Sequence, residues 1–307
     1  MHFNSDIYYG NIIKADLRSA ISYVKQFPEQ NNLYNRFMDV YEHEQYMTYE
    51  VGAELNSILT AYQQYYRDAF YLCIGQERAA NKLRDRLAVL LGIKDNSIAL
   101  CDIEQNQLVK LFMNCGLHFM GGKTSGYYGP YIWRITETVS YDVELPDGIQ
   151  TYTVKLLDGF VTRSWIDYLS FGEIGPGGWA DGDGIINCVK SAWDFDSESF
   201  RVSLLKHEAQ HARDLEKNKD MSSEDLEYRA KLVELIYSSE RNLLEAFAQE
   251  ADSSDESNGH AMAAYRIVKG FANAQGADDI KPAMIPLDQI KAIAEMLFEN
   301  SKIEVER

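Results

Sequence analysis

The chain has 307 residues, of which 47 are Asp or Glu and 30 are Lys or Arg, so its formal net charge is −17. This charge argues against a nucleic acid or an anionic membrane surface as partner, because both would repel the protein. No apolar run approaches the roughly 18 residues that a membrane span requires, and the hydrophobic content of 46% is typical of a globular protein.

Helical periodicity dominates the amino-terminal part of the chain. Four helix-like runs cover residues 16–27, 32–46, 50–73 and 76–91. The dense tyrosines of this region are interpreted as amphipathic packing residues rather than as the lining of a ligand site. The sequence therefore predicts a mainly helical amino-terminal domain over residues 1–125.

Strand signals replace the helical ones between residues 126 and 190. Residues 131–145 are rich in β-branched and aromatic side chains, and residues 149–156 alternate between apolar and polar positions. Residues 160–171 are a further strand candidate. Residues 175–189 are glycine-rich, and glycines allow another segment of backbone to approach closely. This stretch ends in a short strand signal.

A His-Glu-x-x-His motif, His207-Glu208-Ala209-Gln210-His211, lies in a run without Gly or Pro that predicts a helix over residues 196–217. Helical spacing puts both imidazoles on one face, one turn apart, where they can hold one zinc ion. Glu208, between them, can act as general base on a zinc-bound water. Large apolar residues share this face, which indicates that the motif borders the interior or a cleft.

The third protein ligand of a catalytic zinc is expected from the next helix. Ser222-Ser223-Glu224-Asp225 is a capping-box pattern after a short loop, so this second helix lies beside the first. Glu224, Glu227 and Glu234 compete for the role. Glu227 is favoured because it lies on the apolar side of the helix, and Glu234 is second. The alternative for Glu227 is a salt bridge to Lys231 at i,i+4.

The motif followed by a glutamate on the next helix resembles the gluzincin-type zinc metallopeptidases, which have the thermolysin-like architecture, over roughly residues 126–270. The resemblance implies that His207, His211 and Glu227 bind zinc and that Glu208 activates the water. It also implies that an edge strand upstream of the motif helix lines the substrate cleft.

A downstream histidine or tyrosine commonly stabilises the oxyanion in this family. His260 or Tyr265 is the counterpart that the resemblance implies, and Asn258 can cap a helix with His260 in its first turn. Two features differ from the family pattern. The spacing from His211 to Glu227 is at the short end of that pattern, and one position carries a different residue. The family has an aspartate four residues after the ligand glutamate, and this chain has Lys231 there.

These patterns predict an α+β protein. Its helical amino-terminal domain, residues 1–125, precedes a gluzincin-like catalytic domain, residues 126–307, in which a twisted antiparallel sheet (126–190) packs on the motif helices (196–307). The expected activity is Zn²⁺-dependent hydrolysis of peptide bonds in a peptide or protein substrate. Zinc-dependent hydrolysis of a non-peptide amide and a non-catalytic interaction protein with a structural zinc site are the alternatives.

The start of the chain shows no basic segment followed by an apolar one, which predicts a cytoplasmic protein. An extracytoplasmic location is the alternative if an export signal has been removed. The four cysteines form no C-x-x-C pair, and free thiols are typical of a reducing compartment.

Overall fold

A computed structural model shows a chain of mixed helix and sheet. The residues that it describes are 2–95, 97–181, 184–254 and 258–305. Helices take up 57% of the chain and strands 14%, which confirms the predicted α+β class at the coarse level. None of the helices in this described part combines the length and apolarity that a bilayer span requires.

Helices and strands follow one another along the chain in three stretches, with helices at both ends and most strands between them. The α-helices are α1 (Ser5–Ile13), α2 (Leu17–Val24), α3 (Asn31–Phe37), α4 (Ala53–Tyr66), α5 (Gln76–Leu90), α6 (Leu100–Ile103), α7 (Val109–Asn114), α8 (Ser164–Leu169), α9 (His207–Lys217), α10 (Ser223–Tyr237), α11 (Leu243–Glu250), α12 (Gly259–Ala274) and α13 (Leu287–Val305). The strands are β1 (His118–Met120), β2 (Lys123–Thr124), β3 (Tyr127–Tyr128), β4 (Tyr131–Trp133), β5 (Ile135–Leu145), β6 (Gly148–Asp158), β7 (Thr162–Arg163), β8 (Gly178–Ala180) and β9 (Ile186–Val189). π-Helical segments occupy Met38–Glu42, Arg67–Tyr71, Glu104–Leu108 and Phe200–Lys206.

The chain divides into two compact units. They consist of Met1–Ile135 with Asp158–Pro176, and of Thr136–Leu157 with Gly177–Arg307. The first unit is largely helical, and its core is rich in buried aromatic side chains such as Tyr41, Tyr62, Tyr65, Phe112 and Trp165.

Glu104 is a buried carboxyl group within the first unit. It accepts hydrogen bonds from the Tyr62 hydroxyl (2.6 Å) and from the Gly122 N–H (2.9 Å). The neighbouring turn packs directly on this carboxyl, because a Cβ added at Gly121 would lie 2.7 Å from Glu104 Cδ. Burial raises the pKa of Glu104 to about 7, and the two hydrogen bonds only partly oppose this effect.

The second unit contains a four-stranded sheet in the order β5-β6-β9-β8. The prediction of a wholly antiparallel sheet was wrong, because β6 and β9 run parallel, with Val154 opposite Ile186. Parallel strands need a long crossover connection, and residues 159–185 supply it here. The strand candidate at residues 160–171 was also largely wrong, because that stretch contains only the two-residue strand β7 and then the helix α8.

One face of this sheet packs on the helices of the second unit. Tyr152, Val154 and Leu156 alternate along β6 and are buried, as the two-residue period of a strand requires. They belong to the same core as Leu204 and Ala209 from the segment that carries the histidine motif. This packing fixes the motif helix against the sheet.

A side-chain cap begins α10, and a buried ion pair joins α10 to α9. The Ser222 hydroxyl accepts a hydrogen bond from the Asp225 N–H (3.1 Å), as the capping-box pattern predicts. Arg229 Nε lies 2.8 Å from Asp214 Oδ2, with both side chains almost fully buried, and Arg229 also donates to Ser301 Oγ of α13 (2.6 Å). This network sets how α10 lies along the motif helix.

Candidate metal centre

The histidine motif begins where the π-helical segment Phe200–Lys206 ends and α9 starts, at His207. The continuous α-helix expected over residues 196–217 is therefore replaced by a π-helical segment followed by an α-helix. π-Helical turns are rare and are frequently found at functional sites. Ala209 enters the core, while His207 and His211 contact side chains of α10.

His207, His211 and Glu227 form a compact cluster of possible metal ligands, with one donor atom of each within 4.8 Å of the others. The two Nε2 atoms are 2.9 Å apart, and each lies 3.4 Å from an oxygen of the Glu227 carboxylate. Their side chains are only 10–12% exposed. Glu227 therefore contacts both histidines of the motif, and Glu224 is absent from the cluster among the described residues.

The separations in the cluster can be compared with those between the ligands of a tetrahedral ion. Bonds of about 2.0–2.2 Å to His nitrogen and carboxylate oxygen separate neighbouring ligand atoms by about 3.3–3.6 Å. Each distance of 3.4 Å falls in that range, but the two end on different oxygens of the Glu227 carboxylate, Oε2 for His207 and Oε1 for His211. The two imidazole nitrogens at 2.9 Å would need to move apart by a few tenths of an ångström. The set of two nitrogens and one oxygen is one that zinc accepts.

Glu234 contacts His207 at Nδ1, the ring nitrogen that does not face the cluster. Its Oε1 lies 2.7 Å from His207 Nδ1, and the residue is 5% exposed. A carboxylate there fixes the ring and directs Nε2 towards the cluster. Lys231, which stands at the family's aspartate position, instead contacts Glu250 (2.7 Å), so the i,i+4 pair with Glu227 does not form. Glu234 thus lies where it can orient a histidine, seven residues after Glu227 instead of four.

The charges in the cluster depend strongly on one another. Burial lowers the pKa of His207, but hydrogen bonds to Glu227 and Glu234 outweigh it and raise the pKa to about 10. Burial raises the pKa of Glu227, but hydrogen bonds with His207, His211 and His260 outweigh it and hold the pKa well below its usual range. A histidine nitrogen must be deprotonated before it can bind a metal ion, so metal binding at His207 would release a proton.

His260 joins the site and Tyr265 does not. Asn258 accepts a hydrogen bond from the Ala261 N–H (3.2 Å), so α12 begins as predicted with His260 in its first turn. His260 Nδ1 lies 3.0 Å from Glu227 Oε2, and its side chain is 57% exposed. Tyr265 instead contacts Lys269, whose Nζ lies 5.8 Å from the ring centroid.

Glu208 points to the edge strand β8, where its Oε2 accepts a hydrogen bond from the Ala180 N–H (2.8 Å). Gly178 lies in the same strand and is packed tightly against its neighbours. A Cβ there would lie 2.6 Å from the Asn187 carbonyl oxygen and would meet Leu204 as well. Part of the glycine-rich segment, Gly182 and Asp183, lies outside the described residues.

The roles of two participants cannot be seen in the sequence. Glu234 was predicted only as the second choice of metal ligand, and its contact with Nδ1 of His207 depends on the docking of two helices. The Ala180 amide has no side-chain signature, because any residue other than proline supplies the same donor.

Comparison with known proteins found no matching family model, no similar curated protein and no similar solved structure. The functional assignment therefore depends on the chemistry and geometry of the site itself.

Proposed function

We propose that this protein is a zinc-dependent metallopeptidase of the gluzincin type. The observation that supports it is the convergence of His207, His211 and Glu227 within 4.8 Å. Glu208 directly follows the first of these histidines and reaches the edge of a sheet. Hydrolysis of an extended peptide requires three components: a set of metal ligands, a carboxylate beside them and a strand edge that binds the peptide.

Each residue has a distinct role in this proposal. His207, His211 and Glu227 would hold the ion, and Glu234 would keep the His207 ring in the required tautomer. When bound, zinc supplies Lewis-acid activation of a water molecule and of the scissile carbonyl. Glu208 takes a proton from the attacking water and passes it to the leaving amine.

The edge strand favours a peptide over a small amide as substrate. In the described sheet, β8 has β9 on one side only. A strand edge presents N–H and C=O groups that pair with any extended peptide, so it binds main chain without demanding one sequence. Peptide hydrolysis also requires a hydrogen-bond donor to the developing oxyanion. We assign that role to His260 rather than Tyr265, because His260 reaches the cluster and keeps an exposed ring.

Purified protein should contain about one equivalent of zinc, and His207→Ala or His211→Ala should lose it, because two remaining ligands hold the ion poorly. The measurement is elemental analysis after metal-replete preparation and dialysis. His43→Ala is the matched control, since His43 is exposed and lies in the first unit. A stoichiometry near zero for the wild type would refute the proposed function.

The two buried glutamates should differ in their effect on zinc affinity. Glu227→Ala should abolish tight binding, and Glu234→Ala should weaken it about 10- to 100-fold, as expected for a residue that orients a ligand. Glu224→Ala is the control and should leave the affinity unchanged. Competition with a chromophoric chelator measures all three. If Glu234→Ala is the more damaging change, the two roles are exchanged.

A further inference from the structure

The Ala180 N–H points away from the partner strand of β8. Asp181 N–H donates to the Ile185 carbonyl (2.9 Å), and Val189 N–H donates to the Gly177 carbonyl (2.9 Å). Hydrogen-bonded and non-hydrogen-bonded pairs alternate along an antiparallel ladder. Ala180, which lies opposite Ile186, therefore occupies a non-hydrogen-bonded pair, and its N–H is directed to the outer edge of the sheet.

This outward N–H is also the group that holds Glu208. The distance of 2.8 Å from Ala180 N to Glu208 Oε2 is that of a full hydrogen bond to a carboxylate. An extended peptide that pairs with the outer edge of β8 at this position must offer its own carbonyl to the same N–H. Since one N–H donor makes one strong hydrogen bond at a time, the peptide and Glu208 compete for Ala180.

We propose that the Ala180 N–H is a latch on the general base. In the resting chain it holds Oε2 of Glu208, and a backbone carbonyl of the substrate replaces that oxygen when the peptide pairs with β8. The released carboxylate oxygen is then free to accept the proton of the attacking water. The latch depends on the proposed peptidase function, and it couples base release to the binding of an extended chain.

The hydrogen bond itself is tested without any substrate. In zinc-loaded protein, Glu208→Ala removes the acceptor, whereas Glu208→Gln keeps one amide oxygen. Amide hydrogen exchange of Ala180, followed by NMR, should be at least about tenfold faster in Glu208→Ala than in Glu208→Gln. The Asp181 N–H, which is bonded to Ile185, is the internal control and should exchange equally in both. Equal exchange of Ala180 in both variants would overturn the proposal.

The competition is tested by peptide binding to the same two variants, which both lack the base and so cleave peptides too slowly to disturb a binding measurement. Fluorescein-labelled peptides from a tryptic digest of casein serve as the probe, with fluorescence anisotropy as readout. Glu208→Ala should bind them several-fold more tightly than Glu208→Gln, because the competitor for Ala180 is gone. Adding Ala180→Pro, which deletes the N–H at an edge position where a sheet tolerates proline, should abolish the difference. Ala180→Val keeps the N–H and should preserve it.

The outcomes distinguish a failure of the proposed latch from a failure of the proposed peptidase function. Binding with equal affinity in Glu208→Ala and Glu208→Gln would overturn the latch and leave the peptidase proposal intact. If the difference in affinity between Glu208→Ala and Glu208→Gln persists when Ala180→Pro is added, the two groups do not compete for the Ala180 N–H. This result would also overturn the latch. If no variant binds any peptide, the proposal of a peptide substrate is refuted, and the proposed latch is refuted with it.

Discussion

Glu208→Gln should lower peptide hydrolysis by about 10²- to 10⁴-fold, the usual contribution of a general base, while the zinc content stays at the wild-type value. The substitution keeps the shape and one acceptor oxygen for the Ala180 N–H but removes the basicity. Since His207, His211 and Glu227 supply the metal donors, Glu208 is not needed to hold the ion. Thermal stability should be unchanged or slightly higher, because a carboxylate close to the interior is neutralised.

The measurement is cleavage of a broad peptide library by wild type and variant, with zinc determined on the same samples. Glu216→Gln is the matched control, because Glu216 is an exposed glutamate on the same helix. Equal cleavage by wild type and Glu208→Gln would show that Glu208 is not the base. No cleavage by a zinc-loaded wild type would favour the non-peptide hydrolase or the structural zinc site instead.

Glu104→Gln should stabilise the first unit at pH 8.5 by about 3 kcal/mol and should have little effect at pH 4.5. The pKa of Glu104 rises from 4.5 to about 7 in the folded chain. The folded state therefore binds this proton more tightly than the unfolded state. Stability linked to Glu104 is complete below pH about 4.5 and is lost as the pH rises through 7.

Glutamine at position 104 does not ionise, so the variant avoids the loss of stability at high pH and keeps both hydrogen bonds. Its amide oxygen accepts from the Gly122 N–H, and its amide NH₂ donates to the Tyr62 hydroxyl, which can rotate. The free energy of unfolding is measured by urea denaturation at several pH values, with amide hydrogen exchange in the first unit as the readout. Glu54→Gln, at an exposed glutamate of α4, is the control and should be neutral. A variant that keeps the wild-type pH dependence would contradict the assignment.

Local sequence determined the features that depend on neighbouring residues. The spacing of His207 and His211 places both rings on one helix face wherever that helix lies. Ser222 and Asn258 cap α10 and α12 as predicted, because a cap is a contact within one turn. The coarse α+β class followed from hydrophobic periodicity in the same way.

Only the tertiary structure decided the features that depend on the docking of distant segments. Glu227 and Glu234 are chemically equivalent on one helix face, and the packing of α10 on α9 brings one to both imidazole Nε2 atoms and the other to Nδ1 of His207. The parallel pairing of β6 with β9 follows from a crossover of more than twenty residues, which strand periodicity does not encode. The Ala180 N–H reaches Glu208 through a backbone group that every residue except proline shares, so its role comes from the position of β8 alone.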